Sequence, residues 1–445
     1  MTKVPEDVKA EAIAKIREAN VEFIHLWFTD VLGFLKTLVL SIDELDNAMT
    51  EGMGFDGSSI QGFARIFESD MIALPDPNTL HIQKWRQTDE NIAIMFCNIE
   101  TPEGEPFEGD PRNVLKAQLK RAAEMGYTVY LGPECEFFIL SDDIDPEVID
   151  QAGYFDQSVR DLAFDLRSEI VSKLRKFGIE VEYSHHEVAP SQHEIDLRYK
   201  EALKMADQVV IYKMLVAETA AINGYHATFM PKPLNGVNGS GMHVHQSLFK
   251  GDSNAFYDPN GKFQLSQTAR YYIGGLLKHA SGIALLTNQW VNSYKRLVAG
   301  FEAPVYISWA HLNRSALVRV PLYKPGKEKA TRVELRMPDP ACNPYLAFAA
   351  MIAAGLDGIE NKIEPPDDID FDAFALSVEE VKARGIGILP GDLNQAIEAF
   401  DADETIKAAM GEQVTTYLLA NKRKEWDDFR TQVTPWELEN YLPKL

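Results

Sequence analysis

Two acidic residues, Glu134 and Glu136, interrupt an apolar stretch of this chain. The apolar segments 127–131 and 137–140 flank them and predict a buried β-strand. Residues two positions apart on a strand share a face, so the two carboxylates stand side by side. Ionised carboxylates in an apolar setting repel each other and resist the loss of water. A divalent metal or a proton between them resolves this conflict. The alternative is an edge strand with both acids in water.

The composition indicates a globular protein of two or three domains, with 45% hydrophobic and 25% charged residues among 445. A net charge of −23 argues against direct binding of nucleic acid or an anionic membrane. Cys97, Cys135 and Cys342 are scattered, as is typical of reduced thiols in the cytoplasm. The N-terminus lacks the apolar core of a signal peptide, and the apolar runs are too short or too charged to span a bilayer. We therefore expect a cytoplasmic protein.

Strand and helix signals are interspersed and predict an α+β fold with mostly antiparallel neighbours. The segment 101–106 is rich in Pro and Gly and is the best boundary between a small N-terminal domain, 1–106, and a large domain, 107–445. The predicted strands are 21–28, 34–40, 127–140, 179–183, 241–248, 333–337 and 91–99. The predicted helices are 5–19, 41–49, 110–126, 158–177, 203–223, 271–286, 343–359 and a helical region after the caps Ser377 and Asp392.

A second acidic segment lies at 185–194. Glu187 and Glu194, with His185, His186 and His193, give five potential ligands in ten residues. Carboxylates and imidazoles without a thiolate suit Mg²⁺ or Mn²⁺ better than a soft metal. A solvated polar loop is the alternative.

Two further segments have the character of ligand sites. The glycines at 238–241 allow close approach of the backbone to a ligand, and His243 and His245 then share one face of a strand. The segment 292–304 contains Gly300 and Pro304 and suits a lid. The alternatives are ordinary strand histidines and an exposed connection.

Four arginines follow, Arg314, Arg319, Arg332 and Arg336, and the alternation places Glu334 between Arg332 and Arg336. Surface ion pairs are one interpretation. Guanidinium forks also fit carboxylate and phosphate, and acids with arginines are the groups that phosphoryl transfer requires. No GxxxxGK[ST] motif is present, which excludes a P-loop enzyme. The residues alone therefore predict a metal-dependent enzyme that uses ATP and a small anionic substrate.

Six motifs occur in the order known from one family. They are 55–59 (FDGSS), 132–138 (GPECEFF), 185–190 (HHEVAP), 238–243 (NGSGMH), 292–297 (NSYKRL) and 343–345 (NPY). On these motifs the chain resembles type I glutamine synthetases over essentially its whole length. The resemblance implies a small β-grasp-like domain and a large catalytic domain whose antiparallel sheet is flanked by helices.

The resemblance also implies two or more divalent ions, Mg²⁺ or Mn²⁺, in each site. The first ion is expected on Glu136, Glu187 and Glu194. The second is expected on Glu134, His243 and Glu334. Glutamate is expected to contact Asn238, Gly239, Arg296, Glu302, Arg314 and Arg336. ATP is expected to contact Glu182, His245, Ser247, Arg314, Arg319, Lys329 and Arg332.

The implied reaction transfers the γ-phosphoryl group of ATP to glutamate, and ammonia then displaces phosphate to give glutamine. Asp56, Asp70 and Glu302 are expected to hold ammonium, Asp56 to deprotonate it, and Glu302 to shield the acyl phosphate from water. Asp56, Glu302, Arg314 and Arg336 are the implied catalytic residues. In the family the Asp56 loop serves a neighbouring subunit, which implies a homo-oligomer of two stacked hexameric rings.

The chain departs from part of the family. No tyrosine lies within 360–390, so we expect no adenylylation there. The spacing of Glu187 and Glu194, together with Arg65, resembles the alpha-type subgroup that glutamine inhibits by feedback. Phe67 stands where that subgroup usually has Glu, which weakens the expected inhibition through Arg65. Some members also bind a transcription regulator through the C-terminal region.

Three alternatives to glutamine synthesis remain. A relative that joins glutamate to a polyamine or another amine keeps the metal and ATP groups but lacks the ammonium pocket, whereas Asp56, Asp70 and Glu302 are present here. An inactive homologue is expected to lack metal ligands, and none of the six is missing. A metal-storage protein does not need the arginines.

Overall fold

The computed structural model describes residues 4–60, 70–84, 91–373 and 378–445. Its helices are α1 (Glu6–Glu18), α2 (Leu45–Thr50), α3 (Pro111–Glu124), α4 (Phe164–Lys176), α5 (Ala202–Ile222), α6 (Gln267–Lys278), α7 (Ala280–Thr287), α8 (Ser293–Arg296), α9 (Pro344–Glu360), α10 (Val378–Ala383), α11 (Leu393–Ala402), α12 (Glu404–Met410), α13 (Glu412–Arg430) and α14 (Pro435–Tyr441). Its strands are β1 (Phe23–Thr29), β2 (Leu35–Ser41), β3 (Met53–Asp56), β4 (Asp70–Pro75), β5 (His81–Lys84), β6 (Asn91–Glu100), β7 (Thr128–Leu140), β8 (Val181–His186), β9 (Gln192–Leu197), β10 (Lys200–Glu201), β11 (His226–Thr228), β12 (Met242–Lys250), β13 (Ser253–Asn254), β14 (Tyr306–Ile307), β15 (Trp309–His311), β16 (Val318–Val320), β17 (Val333–Leu335) and β18 (Gly387–Ile388).

The N-terminal sheet has the strand order β2-β1-β6-β4-β3, with β5 also paired to β6. Its apolar face packs with α1 and α2 around buried residues such as Ile16, Leu45 and Met95. The pair of β1 and β6 is parallel, whereas the other pairs of this sheet are antiparallel. The fold class is α+β, with this β-grasp unit ahead of a large domain of mixed sheet and helices.

The large domain is organised around β7, an interior strand of the order β15-β16-β17-β12-β7-β9-β8. The edge-strand alternative for Glu134 and Glu136 is therefore wrong. On one side Glu134 pairs with His243 of β12, and on the other Glu136 pairs with Glu194 of β9. The neighbours in this sheet are antiparallel except for β15 and β16, which are parallel and were not predicted as strands.

Helices α3, α5, α6 and α9 build the principal core with this sheet. Asn343 begins α9 by accepting hydrogen bonds from the amides of Tyr345 and Leu346. Small residues then let α9 approach α6 closely. A Cβ added to Gly275 would lie 2.8 Å from the Cα of Gly358, so both positions need glycine.

Local sequence patterns predicted most of the helices and strands, and the observed bounds differ from the predicted ones at a few places. The predicted helix 158–177 begins only at Phe164, and the predicted helix 271–286 is two helices that meet at His279. The glycine-rich segment 51–59 contains β3, whose pairing with β4 was not visible in the sequence. The loop 292–304 begins with the short helix α8.

Three predicted features fall outside the described residues: Ser377 as a cap, and Arg65 and Phe67 as regulatory positions. None of the helices in the described ranges combines the length and the apolar character that a bilayer-spanning helix requires.

Candidate active site

Strands β7, β12 and β17 bring Glu134, His243 and Glu334 together, with ligand atoms within 4.8 Å of one another. The Nδ1 of His243 lies 3.4 Å from a Glu134 oxygen and 3.8 Å from a Glu334 oxygen. Burial and the nearby Arg336 lower the pKa of His243 to about 4, so this imidazole is neutral and offers a lone pair at neutral pH. Two carboxylates and one neutral imidazole form a donor set that fits a divalent ion.

Glu334 is fully buried between two guanidiniums, but they are not the pair that the sequence predicted. Arg319 and Arg336 bind its two carboxylate oxygens. Arg319 stands opposite Glu334 in the β16–β17 pair, whereas Arg332 lies one residue before β17. Glu334 thus lies between two guanidiniums as predicted, and Arg336 is one of them, but the other that binds it is Arg319 and not Arg332, because cross-strand register brings Arg319 closer.

Arg332 instead belongs to a hydrogen-bonded chain that ends at Glu134. Its Nε donates to the Nδ1 of His245 at 3.2 Å. Arginine only donates, so the His245 proton lies on Nε2, which donates to Glu134 at 2.7 Å. Burial acts to raise the pKa of Glu134, but His245 and His243 outweigh it and hold the pKa well below its usual range. Glu134 is therefore ionised and oriented.

A second group at the β8–β9 turn contains His185, Glu187 and Glu194, again with ligand atoms within 4.8 Å of one another. The Nε2 of His185 lies 2.9 Å from a Glu187 oxygen and 3.6 Å from a Glu194 oxygen. Glu136 stands beside this group. One Glu136 oxygen accepts from the side chain of Gln192 at 2.8 Å and from the Gly241 amide at 2.9 Å.

The acids of this second group crowd one another. Burial, with the neighbouring Glu187, raises the pKa of Glu136 to about 8. Burial and Asp196 raise the pKa of Glu194 as well. A divalent cation offsets such crowding directly, so this donor set also fits Mg²⁺ or Mn²⁺.

Two cavities are lined in part by strand β7, which carries Glu134 and Glu136. The larger, of about 320 Å³, is lined by five residues predicted to contact ATP and by Glu134. The five are Glu182, His245, Ser247, Lys329 and Arg332. The smaller cavity is lined by Glu136, Glu187, Asn238, Gly239, His243, Arg296, Glu302 and Arg336. Strand β7 thus presents Glu134 to one cavity and Glu136 to the other.

The walls of the smaller cavity are packed too closely for larger residues. A Cβ on Gly239 would lie 2.2 Å from the Pro231 carbonyl oxygen. Arg296 is buried, and its guanidinium donates to the backbone carbonyls of Arg336, Met337 and Pro338. Arg296 therefore fixes the segment after β17 against the wall of the cavity.

Six predicted residues line neither cavity of their own chain: Asp56, Asp70, Glu194, Arg314, Arg319 and Glu334. Asp56 and Asp70 are exposed and face each other in the β3–β4 pair. Hydrogen bonds from the side chain and amide of Ser58 lower the pKa of Asp56, so it is ionised. Arg314 is exposed and interacts with Tyr154.

Tyr154 and Phe155 cover His185 and were missed in the sequence. The Phe155 ring stacks on the imidazole with centroids 4.4 Å apart, and Tyr154 meets it edge-on at 5.5 Å. Phe155 has a φ of 59°, and its amide donates to the His186 carbonyl. The pair of adjacent aromatic residues was the available signal.

A buried polar network behind the second group was also missed. Arg167 forms a bidentate ion pair with Asp161 and donates to the Nδ1 of His193 at 3.0 Å. His186 joins the network through Asp150 at 3.0 Å and through the Glu187 carbonyl at 2.7 Å. The network thus supports Glu187 through its backbone carbonyl and Glu194 through the adjacent His193. Its acids lie far from the histidines in the sequence, and no local spacing indicated them.

Two family models match the chain in sequence. Residues 108–441 match the model described as "Glutamine synthetase, catalytic domain", and residues 20–102 match "Glutamine synthetase, beta-Grasp domain". Among curated relatives, the glutamine synthetase of Mycolicibacterium smegmatis is 50% identical over 440 residues, which cover 98% of this chain and 99% of the relative. Those of Methanosarcina mazei and Thermotoga maritima are each 49% identical, over 98% and 96% of this chain and 98% of each relative.

Solved structures share the whole fold. A complex of GmaS with ADP superimposes with a TM-score of 0.88 at 34% identity, covering 97% of this chain and 99% of that one. The cryoEM structure of Plasmodium falciparum glutamine synthetase has a TM-score of 0.88 at 27% identity, covering 99% and 100%.

Proposed function

Because this chain is an enzyme of the glutamine synthetase family, we propose that it joins ammonia to the γ-carboxylate of L-glutamate and converts ATP to ADP and phosphate. The reaction passes through γ-glutamyl phosphate. The observation that carries the proposal is the placement of Glu134 and Glu136 on one strand, each beside a metal-compatible group and each at a different cavity.

The larger cavity is assigned to ATP and the smaller to glutamate. The proposed ATP contacts are Glu182, His245, Ser247, Arg314, Arg319, Lys329 and Arg332. The proposed glutamate contacts are Asn238, Gly239, Arg296, Glu302, Arg314 and Arg336. The volume of the larger cavity and the cations Lys329 and Arg332 in its lining suit a nucleotide. The structural neighbour GmaS is described as a complex with ADP, which supports a nucleotide as a ligand of this fold.

Divalent ions, Mg²⁺ or Mn²⁺, are assigned to Glu136, Glu187 and Glu194, with His185 beside them, and to Glu134, His243 and Glu334. When bound, they supply positive charge to the phosphoryl oxygens. Arg319 and Arg336 hold Glu334 in place, and Arg332 and His245 hold Glu134. The ligands of the ions are therefore held in position before the substrate binds, so the positive charge is already placed where the transition state needs it.

In the first step the γ-carboxylate of glutamate attacks the γ-phosphorus of ATP, and ADP leaves. Arg336 and Arg314 spread the negative charge of the transferring group. Ammonia then attacks the acyl carbon and phosphate leaves. Glu302 lines the glutamate cavity and shields the acyl phosphate from water.

Ammonium is assigned to Asp56, Asp70 and Glu302, with Asp56 as the base that takes its proton. Asp56 and Asp70 face outward from their own chain, which supports a site shared between subunits. We infer a homo-oligomer, two hexameric rings in the form the resemblance implies, in the cytoplasm. The two family matches support a division into domains 1–106 and 107–445.

The alpha-type subgroup, with glutamine feedback through Arg65, remains a proposal from the sequence, as does a transcription regulator as partner.

The decisive experiment measures ADP release with glutamate and Mg²⁺, with and without ammonium. We expect ammonium to stimulate turnover and glutamine to accumulate in step with ADP, and Glu334→Gln to abolish both. Turnover that ammonium fails to stimulate, but a polyamine or a small alkylamine does, would assign the chain to a ligase for another amine.

A further inference from the structure

We propose that Lys232 is a positioning residue that latches the loop carrying Glu302 over the smaller cavity. This inference rests on the proposed function of that cavity. Lys232 lies in the segment between β11 and β12, six residues before Asn238, which lines the cavity with Gly239. It contacts three separate segments of the cavity wall.

The backbone of Lys232 is fixed first. Its amide donates to the Oδ1 of Asn292 at 2.7 Å, and the Nδ2 of Asn292 donates back to the Lys232 carbonyl at 3.1 Å. Asn292 directly precedes α8, which ends at the buried Arg296. The start of the Lys232 side chain is therefore tied to the element that carries a wall of the cavity.

The side chain then bridges the two remaining segments. Its ammonium group donates to the Val237 carbonyl, next to Asn238, and lies 3.9 Å from the centroid of the Phe301 ring. Phe301 lines the cavity and directly precedes Glu302. Within the described ranges the ammonium group is thus held by a carbonyl and a ring rather than by a carboxylate.

Glu302 needs such support because its backbone is strained. Its φ of 56° lies in the left-handed region, which a residue with a Cβ adopts only when its surroundings hold it there. A cation over an aromatic face shifts an equilibrium between two conformations by roughly two- to thirty-fold. The Lys232–Phe301 contact is therefore strong enough to hold Phe301, and with it Glu302, in the conformation in which both line the smaller cavity.

A looser loop admits water to the acyl phosphate. Water then attacks the acyl carbon, the bond to the phosphate oxygen breaks, and glutamate and phosphate are released. Because ADP has already formed, each such event adds ADP without glutamine. The ratio of ADP to glutamine formed therefore reports on the latch, whereas a general loss of stability lowers both together.

The test compares Lys232→Met, Phe301→Leu and their double variant in the full-length assembly with ammonium present. We expect each single variant to raise the ratio of ADP to glutamine by roughly two- to thirty-fold. The double variant should be no worse than the poorer single variant, because both remove one contact. Lys232→Arg keeps the cation over the ring and should leave the ratio of ADP to glutamine close to that of wild type.

Lys213→Met is the matched control. Lys213 is also partly buried and lies over a phenylalanine ring, that of Phe229, at 5.7 Å, but it does not line the smaller cavity. We expect its ratio of ADP to glutamine to be unchanged. Effects of Lys232→Met and Phe301→Leu that multiply in the double variant, or an unchanged ratio with only a raised KM for glutamate, would overturn the latch.

Hydrogen exchange of residues 297–304 separates this inference from the proposed function, since it needs no turnover. Lys232→Met and Phe301→Leu should speed exchange there, and Lys232→Arg should not. Unchanged exchange in Lys232→Met overturns the latch even in an active enzyme. Faster exchange in a protein that makes no glutamine supports the latch and refutes only the assigned reaction.

Discussion

Glu136 and Glu194 stand directly opposite each other in the antiparallel pair of β7 and β9, and both are buried. Cross-strand neighbours on one face have Cβ atoms roughly 5 Å apart, so the two carboxylates share one small volume. Like charges in such a pair destabilise the fold unless a cation lies between them or one acid takes up a proton, which the raised pKa of both acids already favours. The pairing of β7 with β9 therefore lowers the stability of the fold when no metal is bound.

Removal of metal should therefore lower the thermal unfolding midpoint, and Glu136→Gln should reduce that loss. The variant relieves repulsion in the metal-free protein but also removes a ligand, so added Mn²⁺ should raise its midpoint less than that of wild type. Saturation at a hundred times Kd stabilises wild type by about 2.7 kcal/mol per site. Thermal unfolding in chelator and in Mn²⁺ measures both effects. The exposed Glu147→Gln should respond to Mn²⁺ like wild type, and an identical response of Glu136→Gln would contradict the metal assignment.

Arg167 should be needed for both stability and metal affinity. It is buried in a bidentate pair with Asp161, and removal of one partner of a buried pair costs about 3–5 kcal/mol. Arg167 also supports His193, the neighbour of Glu194, and loss of such outer support weakens metal binding by about 10–100-fold. Urea unfolding and Mn²⁺ titration calorimetry of Arg167→Met measure the two effects. The exposed Arg160→Met should lie within about 0.5 kcal/mol of wild type. Wild-type Mn²⁺ affinity in Arg167→Met would show that the network is only structural.

The Arg167 network is an example of contacts that the sequence did not predict. A cap such as Asp392 was predictable, because its hydrogen bond joins residues three positions apart. The shared face of Glu134 and Glu136 followed from strand geometry alone. The partner of Glu334 did not, since Arg319 reaches it through the register of two strands.

The boundary between the two domains was predicted from the Pro- and Gly-rich segment 101–106, whereas the β-grasp-like type of the first domain came from resemblance to a family. The pairing of β3 with β4 places Asp56 opposite Asp70. No local pattern in either segment indicates that these two strands pair. The ion pair of Asp161 with Arg167, by contrast, joins residues only six positions apart, but it matters because it is buried, which a sequence does not display.

A buried histidine should give the fold a measurable pH dependence. His279 bonds Asp403 at 2.7 Å and Asp357 at 2.9 Å, joining α6 to α9 and α12. Burial acts to lower its pKa, but the two acids outweigh it and raise the pKa above 6.5. The protonated form is then favoured by folding, so its stabilisation is fully present below that value and is lost as the pH rises through the folded pKa.

Wild type should therefore exceed His279→Gln in stability most at pH 6, and the difference in unfolding midpoint should shrink towards pH 9. His81 provides a control of opposite sign, because burial lowers its pKa. Relative to His81→Gln, wild type should lose stability as the pH falls below about 6.5. A difference for His279→Gln that stays constant from pH 6 to pH 9 would contradict the assignment of a charged histidine.

Variants of Asp56 can show whether each active site is formed by residues of two chains. Asp56 is exposed and lines neither cavity of its own chain within the described residues, whereas Glu334 is fully buried at the base of the metal group. Asp56→Ala and Glu334→Gln should each be inactive alone. If Asp56 serves a neighbouring chain, a site between an Asp56→Ala chain and a Glu334→Gln chain can contain both intact residues. In assemblies with equal, random mixing, about one quarter of the sites meet this condition, so about one quarter of wild-type activity should return.

Co-expression with two different tags and sequential purification isolates the mixed assemblies for glutamine assays. Assemblies of Asp56→Ala with Asp56→Asn form the control, because no site in them contains an intact Asp56, and they should stay inactive. Complementation requires that the two intact residues come from different chains, since neither variant chain carries both. Mixed Asp56→Ala and Glu334→Gln assemblies that stay inactive would therefore place Asp56 in the site of its own chain, and the outward orientation of β3 would then need another explanation.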